Sequence, residues 1–159
     1  LWRHSGLMFN ELALSTLMAL LVVGLHGFGL MGLGRLLELY ETRTGGVGVA
    51  GPLWQHAALT IAVVLGLFCI HGVEIWLYAA LYTAIGAVSD LREAVYFSSI
   101  SYGSIGYSDV LMAPQWRLLG AIEGVGGAIL LGWSVAFFVS VMTPFTAPRK
   151  RRARHDDTP

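Results

Sequence analysis

An all-α membrane protein, with three transmembrane helices and one shorter re-entrant helix, is the fold class this sequence predicts. Three observations lead there. Apolar residues make up 55% of the 159 and charged residues 13%, about half the charged share usual in soluble proteins. Three long stretches are nearly free of charge, each able at helical rise to cross a hydrocarbon core. Between the second and third lies Ser98-Ser99-Ile100-Ser101-Tyr102-Gly103-Ser104-Ile105-Gly106-Tyr107-Ser108-Asp109. This run has too many small and turn-forming residues to span a bilayer and is too apolar for an ordinary surface loop. At membrane depth such a loop is tolerated only where it is buried in protein or lines water.

The first apolar stretch, Leu12 to Gly34, has twenty-three residues without acidic or basic charge, roughly 34 Å of helix. It exceeds a signal-peptide core. Its glycines (Gly24, Gly27, Gly29, Gly32 and Gly34) imply close backbone approach to a neighbouring helix. His26 lies within it, as a haem or proton site or as a neutral histidine bonded to a neighbouring helix; the second reading is preferred, since no second ligand stands beside it in the chain. Arg35, Glu38, Glu41 and Arg43 mark the exit. Thr44 to Pro52 is a glycine-rich connection. No strand precedes it and no Lys-Ser/Thr comes after it, so it is not a phosphate loop.

The second helix starts near Leu53. Trp54 and Trp76 lie roughly 33 Å apart along it, as interfacial anchors would. His71 and Glu74 share one face, one turn apart. They can contribute to a metal site if other helices add ligands, or form a hydrogen-bonded pair near the outer interface that ties this helix to the pore-side loop. The second is preferred. Cys69, the single cysteine, can form no intrachain disulfide and no zinc cluster; it is expected to be a small buried hydrophobe.

Gly86 breaks the apolar run. Asp90 with Glu93 reads as a capping box opening a helix from Leu91 to about Tyr102, half a bilayer long. Its negative C-terminal dipole end favours a cation. Tyr96, Phe97 and Tyr102 on it are expected to pack around the loop that comes next. The third long helix runs from about Trp116 to Met142 and ends at Thr143-Pro144. Gly120, Gly124 and Gly127 share a face for close packing. Arg149-Lys150-Arg151-Arg152 and Arg154 form a basic tail, which argues for a cytoplasmic C-terminus. Three crossings then place the N-terminus outside. Formal net charge is zero, so nothing draws the chain as a whole toward nucleic acid.

Ser104-Ile105-Gly106-Tyr107-Ser108 has the make-up of a loop whose backbone carbonyls replace an ion's water shell: hydroxyl, aliphatic, glycine, aromatic, small. With Asp109 it resembles the pore signature of the potassium channel superfamily, Thr-Val-Gly-Tyr-Gly and then Asp. His71-Gly72-Val73-Glu74-Ile75, Ala94-Val95-Tyr96-Phe97-Ser98, Trp116-Arg117-Leu118-Leu119 and Gly132-Trp133-Ser134 extend the resemblance to small bacterial ion-channel proteins with a two-helix pore module. Three positions depart from the pattern: Gly103, just before the run, replaces the more usual Thr, and Ser104 and Ser108 differ within it. Ser104 replaces Thr and keeps the hydroxyl. Ser108 replaces the second Gly, where a side chain is disfavoured if the backbone needs φ > 0.

The resemblance implies a re-entrant pore helix, a selectivity-filter loop and a homotetrameric pore in a cell membrane, in bacteria the inner one. It assigns potassium, a permeant ligand and not a cofactor, to the carbonyls of 104–108. It places Asp109 at the outer mouth and Tyr96, Phe97, His71 and Glu74 in support of the filter. Gly124, Gly126 and Gly127 lie about where such channels bend, giving a hinge. The chain is then organised as 1–52, an N-terminal helix and cytoplasmic connection; 53–148, the pore module; and 149–159, the basic tail. The partners are the lipid bilayer and three further copies, with no nucleic acid and no enzymatic role. Two alternatives stand beside this: a non-selective or non-conducting pore-fold subunit, which Ser108 keeps open, and a membrane haem or metal protein using His26, His71 and Glu74.

Overall fold

The computed structural model describes residues 2–44, 52–106 and 111–146. They form four α-helices and a short 3-10 turn: α1 (Trp2–Thr44), α2 (Leu53–Ala84), α3 (Leu91–Tyr102), the turn Pro114–Trp116, and α4 (Arg117–Thr146). No strand occurs among the described residues. Three helices are long and apolar enough to cross a membrane, over Met8–Arg43, Leu53–Ala84 and Pro114–Thr143. Helices suit that setting because each satisfies its backbone hydrogen bonds within one segment.

Side-chain contacts fix the directions. Along α1, Glu11 meets Leu119 and His26 meets Ser134, so α1 and α4 run parallel. Gly29 packs on Ile70 and Leu33 on Gly66, while His26 meets Glu74, so α2 is antiparallel to α1. Thr60 meets Met142 and Tyr82 meets Glu123, so α2 is antiparallel to α4 as well.

The short helix α3 lies against both α2 and α4. Asp90 caps its start, Oδ2 accepting from the amides of Arg92 (3.0 Å) and Glu93 (3.3 Å). It runs parallel to α4, with Phe97 against Gly120, Ser101 against Gly124 and Tyr102 against Gly127. Its twelve residues carry the chain about 18 Å back along the bundle. The return is visible too: the Ala113 amide donates to the Ala87 carbonyl at 2.9 Å. Ala87 and Ala113 thus lie side by side near the start of α3.

The core gathers where α3 meets its neighbours: Tyr78, Ala79, Tyr82, Ala94, Phe97, Tyr102, Met112, Leu119 and Leu130, with Met18 and Val22 from α1. The outward faces are apolar as well. Trp54 and Trp76 are exposed on α2, and so is Cys69, contrary to the buried position expected of it. In a span of this kind the outer face carries apolar side chains as readily as the inner one, so hydrophobicity did not fix its direction.

Two helix limits also differ from expectation. α1 extends ten residues before Leu12 and ten beyond Gly34, since charged residues outside the apolar stretch leave the helix intact. α4 continues to Thr146, past Pro144. A proline in the last turn forfeits a single hydrogen bond, and Phe145 and Thr146 stay helical after it. The connection 45–51 and the tail 149–159 lie outside the described residues.

Candidate functional site

All four helices send a polar side chain to one buried cluster. Glu74 of α2 is its centre, fully buried. One carboxylate oxygen, Oε1, faces His26 Nδ1 of α1 at 2.9 Å. The other, Oε2, accepts from the Tyr102 hydroxyl at the end of α3 and lies 3.2 Å from His71 Nδ1. His71 Nδ1 is also 2.9 Å from the Tyr102 oxygen. Ser134 of α4 closes the far side, its Oγ lying 2.9 Å from His71 Nε2 and 3.4 Å from His26 Nε2. With each Nδ1–H donated toward Glu74, both Nε2 atoms are acceptors. The single Ser134 proton then serves one at a time, the shorter contact to His71 being the better.

The fold thereby supplies what the chain around His26 lacks. His71 and Glu74 come from another helix, and the ligand atoms of the three residues lie within 4.8 Å of one another. The expected tie between the His71–Glu74 pair and the segment after α2 is present, through Tyr102. It sits well inside α2, thirteen residues before Ala84, and not at the helix end.

A second buried carboxylate, Glu123 of α4, accepts from the Tyr82 hydroxyl of α2 and the Ser98 hydroxyl of α3. Ser98 also lies 3.1 Å from the Ile75 carbonyl. Every buried side-chain nitrogen and oxygen among the described residues has a partner, as groups in an apolar medium require.

Beyond Tyr102 the chain enters the loop singled out by its sequence. Its amides turn back onto α3: Gly103 to Ser99 (3.1 Å), Ser104 to Ser101 (2.9 Å), and Ile105 and Gly106 both to Ile100 (2.8 and 3.2 Å). The pairs 105–100 and 104–101 make a Schellman closure, with Ser104 at φ 57° where glycine is the usual residue. Gly106 is left-handed too, at φ 61°. These peptides are all trans, so N–H and C=O point opposite ways. With the amides of 104–106 aimed at the helix end, the carbonyls of Gly103, Ser104 and Ile105 project away from it. Residues 103–106 are exposed on the single chain, and the Ser104 hydroxyl donates to the Gly124 carbonyl at 3.3 Å. Tyr107, Ser108 and Asp109 lie outside the described residues.

A cleft of about 570 Å³ adjoins this loop, lined by Ile100, Ser104 and Gly106 and by Gly124, Val125 and Ile129 of α4. Of the aromatic residues expected beside the loop, Phe97 is buried, edge-on to Tyr82 at 5.6 Å. Tyr96 is 48% exposed and does not join the core of the single chain. Gly124 and Gly127 face α3, where a Cβ would meet the carbonyls of Ser101 and Tyr102; at Gly126 it would meet nothing within 4 Å. Sequence reasoning missed Glu11, whose buried carboxylate accepts from the Leu119 amide at 3.1 Å in the first turn of α4. An acidic residue just before an apolar run was the available signal.

Among known proteins, the family model described as "ion channel" matches residues 58–144, more than half of the chain. No curated protein and no solved structure matches.

Proposed function

The chain belongs to the ion-channel family, and from that premise we propose that four copies form a cation-conducting pore selective for potassium. It is a multi-pass membrane protein whose α3 is the re-entrant pore helix. Ions are coordinated by backbone carbonyls of Ser104, Ile105, Gly106, Tyr107 and Ser108, with Asp109 drawing cations to the outer mouth. One observation carries the reading: the row of loop carbonyls turned away from α3, at the helix's negative end. One chain supplies one such row, and a ring around an ion needs several. The cleft beside the loop and the exposed Val125 and Ile129 are then the face that meets the axis and the neighbouring copies. Gly124, Gly126 and Gly127 are the place where α4 bends on opening. The module 53–148 lies in the cell membrane, with its C-terminal basic tail cytoplasmic.

Purified protein in liposomes tests this directly. Potassium flux should exceed sodium flux, and Gly106→Val should abolish both while membrane insertion persists, because a β-branched residue does not readily hold φ near 61°. An assembled wild-type protein passing neither ion defeats the proposal. So does a protein that never forms a tetramer.

A second reading, a transition-metal protein of the membrane, is favoured by the approach of His26, His71 and Glu74. Two imidazoles and a carboxylate suit zinc. Purified protein without bound metal, without zinc uptake and without a haem absorbance band removes it.

A further inference from the structure

The family-matched segment begins at residue 58, yet the polar cluster behind the loop is completed by a residue from α1. We propose that His26 is a positioning residue for the ion-coordinating loop, acting through Glu74 and Tyr102. The flux part of this inference rests on the channel reading; the geometric part does not.

The contacts form a short relay. His26 Nδ1 holds Glu74 Oε1, while Oε2 of the same carboxylate takes the Tyr102 hydroxyl. Tyr102 ends α3 and stands two residues before Ser104. Its neighbours Ile100 and Ser101 accept the amides that orient the loop. A carboxylate gripped at both oxygens cannot turn about its own axis. Released at Oε1, it rotates toward whatever donor remains, and the Tyr102 hydroxyl loses a fixed acceptor. His71 cannot substitute, because its contact is to Oε2, the oxygen that Tyr102 already shares.

His26 is itself well held. Its ring lies 5.2 Å from that of His71 and 5.3 Å from that of Trp133, and it is fully buried. The glycines of α1 make the approach possible. A Cβ at Gly27 would come 3.3 Å from the Trp133 ring, and one at Gly29 would crowd Ile70 at 2.9 Å. The small residues of α1 thus bring His26 within reach of a carboxylate that serves the loop.

The test compares His26→Ala, His26→Gln and Tyr102→Phe in liposomes, by potassium/sodium flux ratio and by amide hydrogen exchange at Ile105 and Gly106. His26→Ala should lower the ratio by about 5-fold or more and speed exchange at both amides, with the oligomer intact. His26→Gln, whose amide can donate to Oε1, should recover part of both. Tyr102→Phe should reproduce the loss, and the double variant should be no worse than either single one. An unchanged ratio with unchanged exchange in His26→Ala overturns the proposal. So does a general loss of folding in both His26 variants with a normal Tyr102→Phe, which marks a purely structural role. If wild-type protein conducts nothing but exchange still rises in His26→Ala, the channel reading fails and the coupling from α1 to the loop stands. If exchange is also unchanged, both fail.

Discussion

Glu74 and Glu123 are both buried carboxylates on membrane-spanning helices, and both hold α3, yet they hold it differently. Glu123 grips the middle, at Ser98, with hydroxyl donors from two helices. Glu74 grips the end, at Tyr102, and draws in imidazoles from α1 and α2 besides. The glycines of α4 keep to the same division. Gly120 receives the Phe97 ring at the middle, whereas Gly127 receives the Tyr102 backbone at the end. A ring can swing aside; a carbonyl at a helix terminus cannot. The contrast teaches that stability and loop geometry are served by separate contacts on one short helix, so they should separate under mutation.

The end should be the more sensitive. Gly127→Leu forces a side chain into the Tyr102 carbonyl, and the expected cost is about 4 kcal/mol or more, seen as loss of the assembled oligomer on detergent gels. A stable, conducting variant would break the comparison at its strongest point. Glu74→Ala takes the carboxylate from His26 Nδ1 and from the Tyr102 hydroxyl, leaving the hydroxyl only His71; it should cost about 3 kcal/mol and abolish ion discrimination, read from thermal unfolding and from flux ratios on the same sample. Glu123→Ala should cost less, about 2 kcal/mol, because Ser98 keeps the Ile75 carbonyl within reach. Its flux ratio should match wild type, and a changed ratio would erase the distinction between middle and end. Gly120→Ala should be the mildest, about 1 kcal/mol, a small shift in melting temperature with selectivity unchanged.

Much of the frame could be read from residues close together in the chain. The start of α3 is set by Asp90, acting over a single turn; its end turns on Ser104, which takes the left-handed φ that glycine usually supplies. The start of α2 comes directly after Pro52, and the amphiphilic loop after Tyr102 stands out by composition alone. What could not be read depends on residues far apart. His26 gains its partners from α2 and α4, across 48 and 108 positions, and no local pattern encodes that meeting. Whether Cys69 faced in or out was equally hidden, since hydropathy carries no direction when both sides of a helix are apolar. The glycines at 120, 124 and 127 announced a close contact, but not that their partner would be the short helix α3.

The Glu11–Leu119 contact has a consequence for how the molecule is made. Its two halves are synthesised 108 residues apart; at ordinary translation rates the first waits roughly 5–20 s for the second. Through that interval the Glu11 acceptor has been made and the helix it meets has not. When the start of α4 leaves the ribosome, the Leu119 amide, one of the first-turn donors a helix cannot satisfy internally, meets an acceptor already made. Biogenesis from the N-terminus thus delivers the cap before the helix it caps. A circular permutant with α1 placed last would make the Leu119 amide before its acceptor.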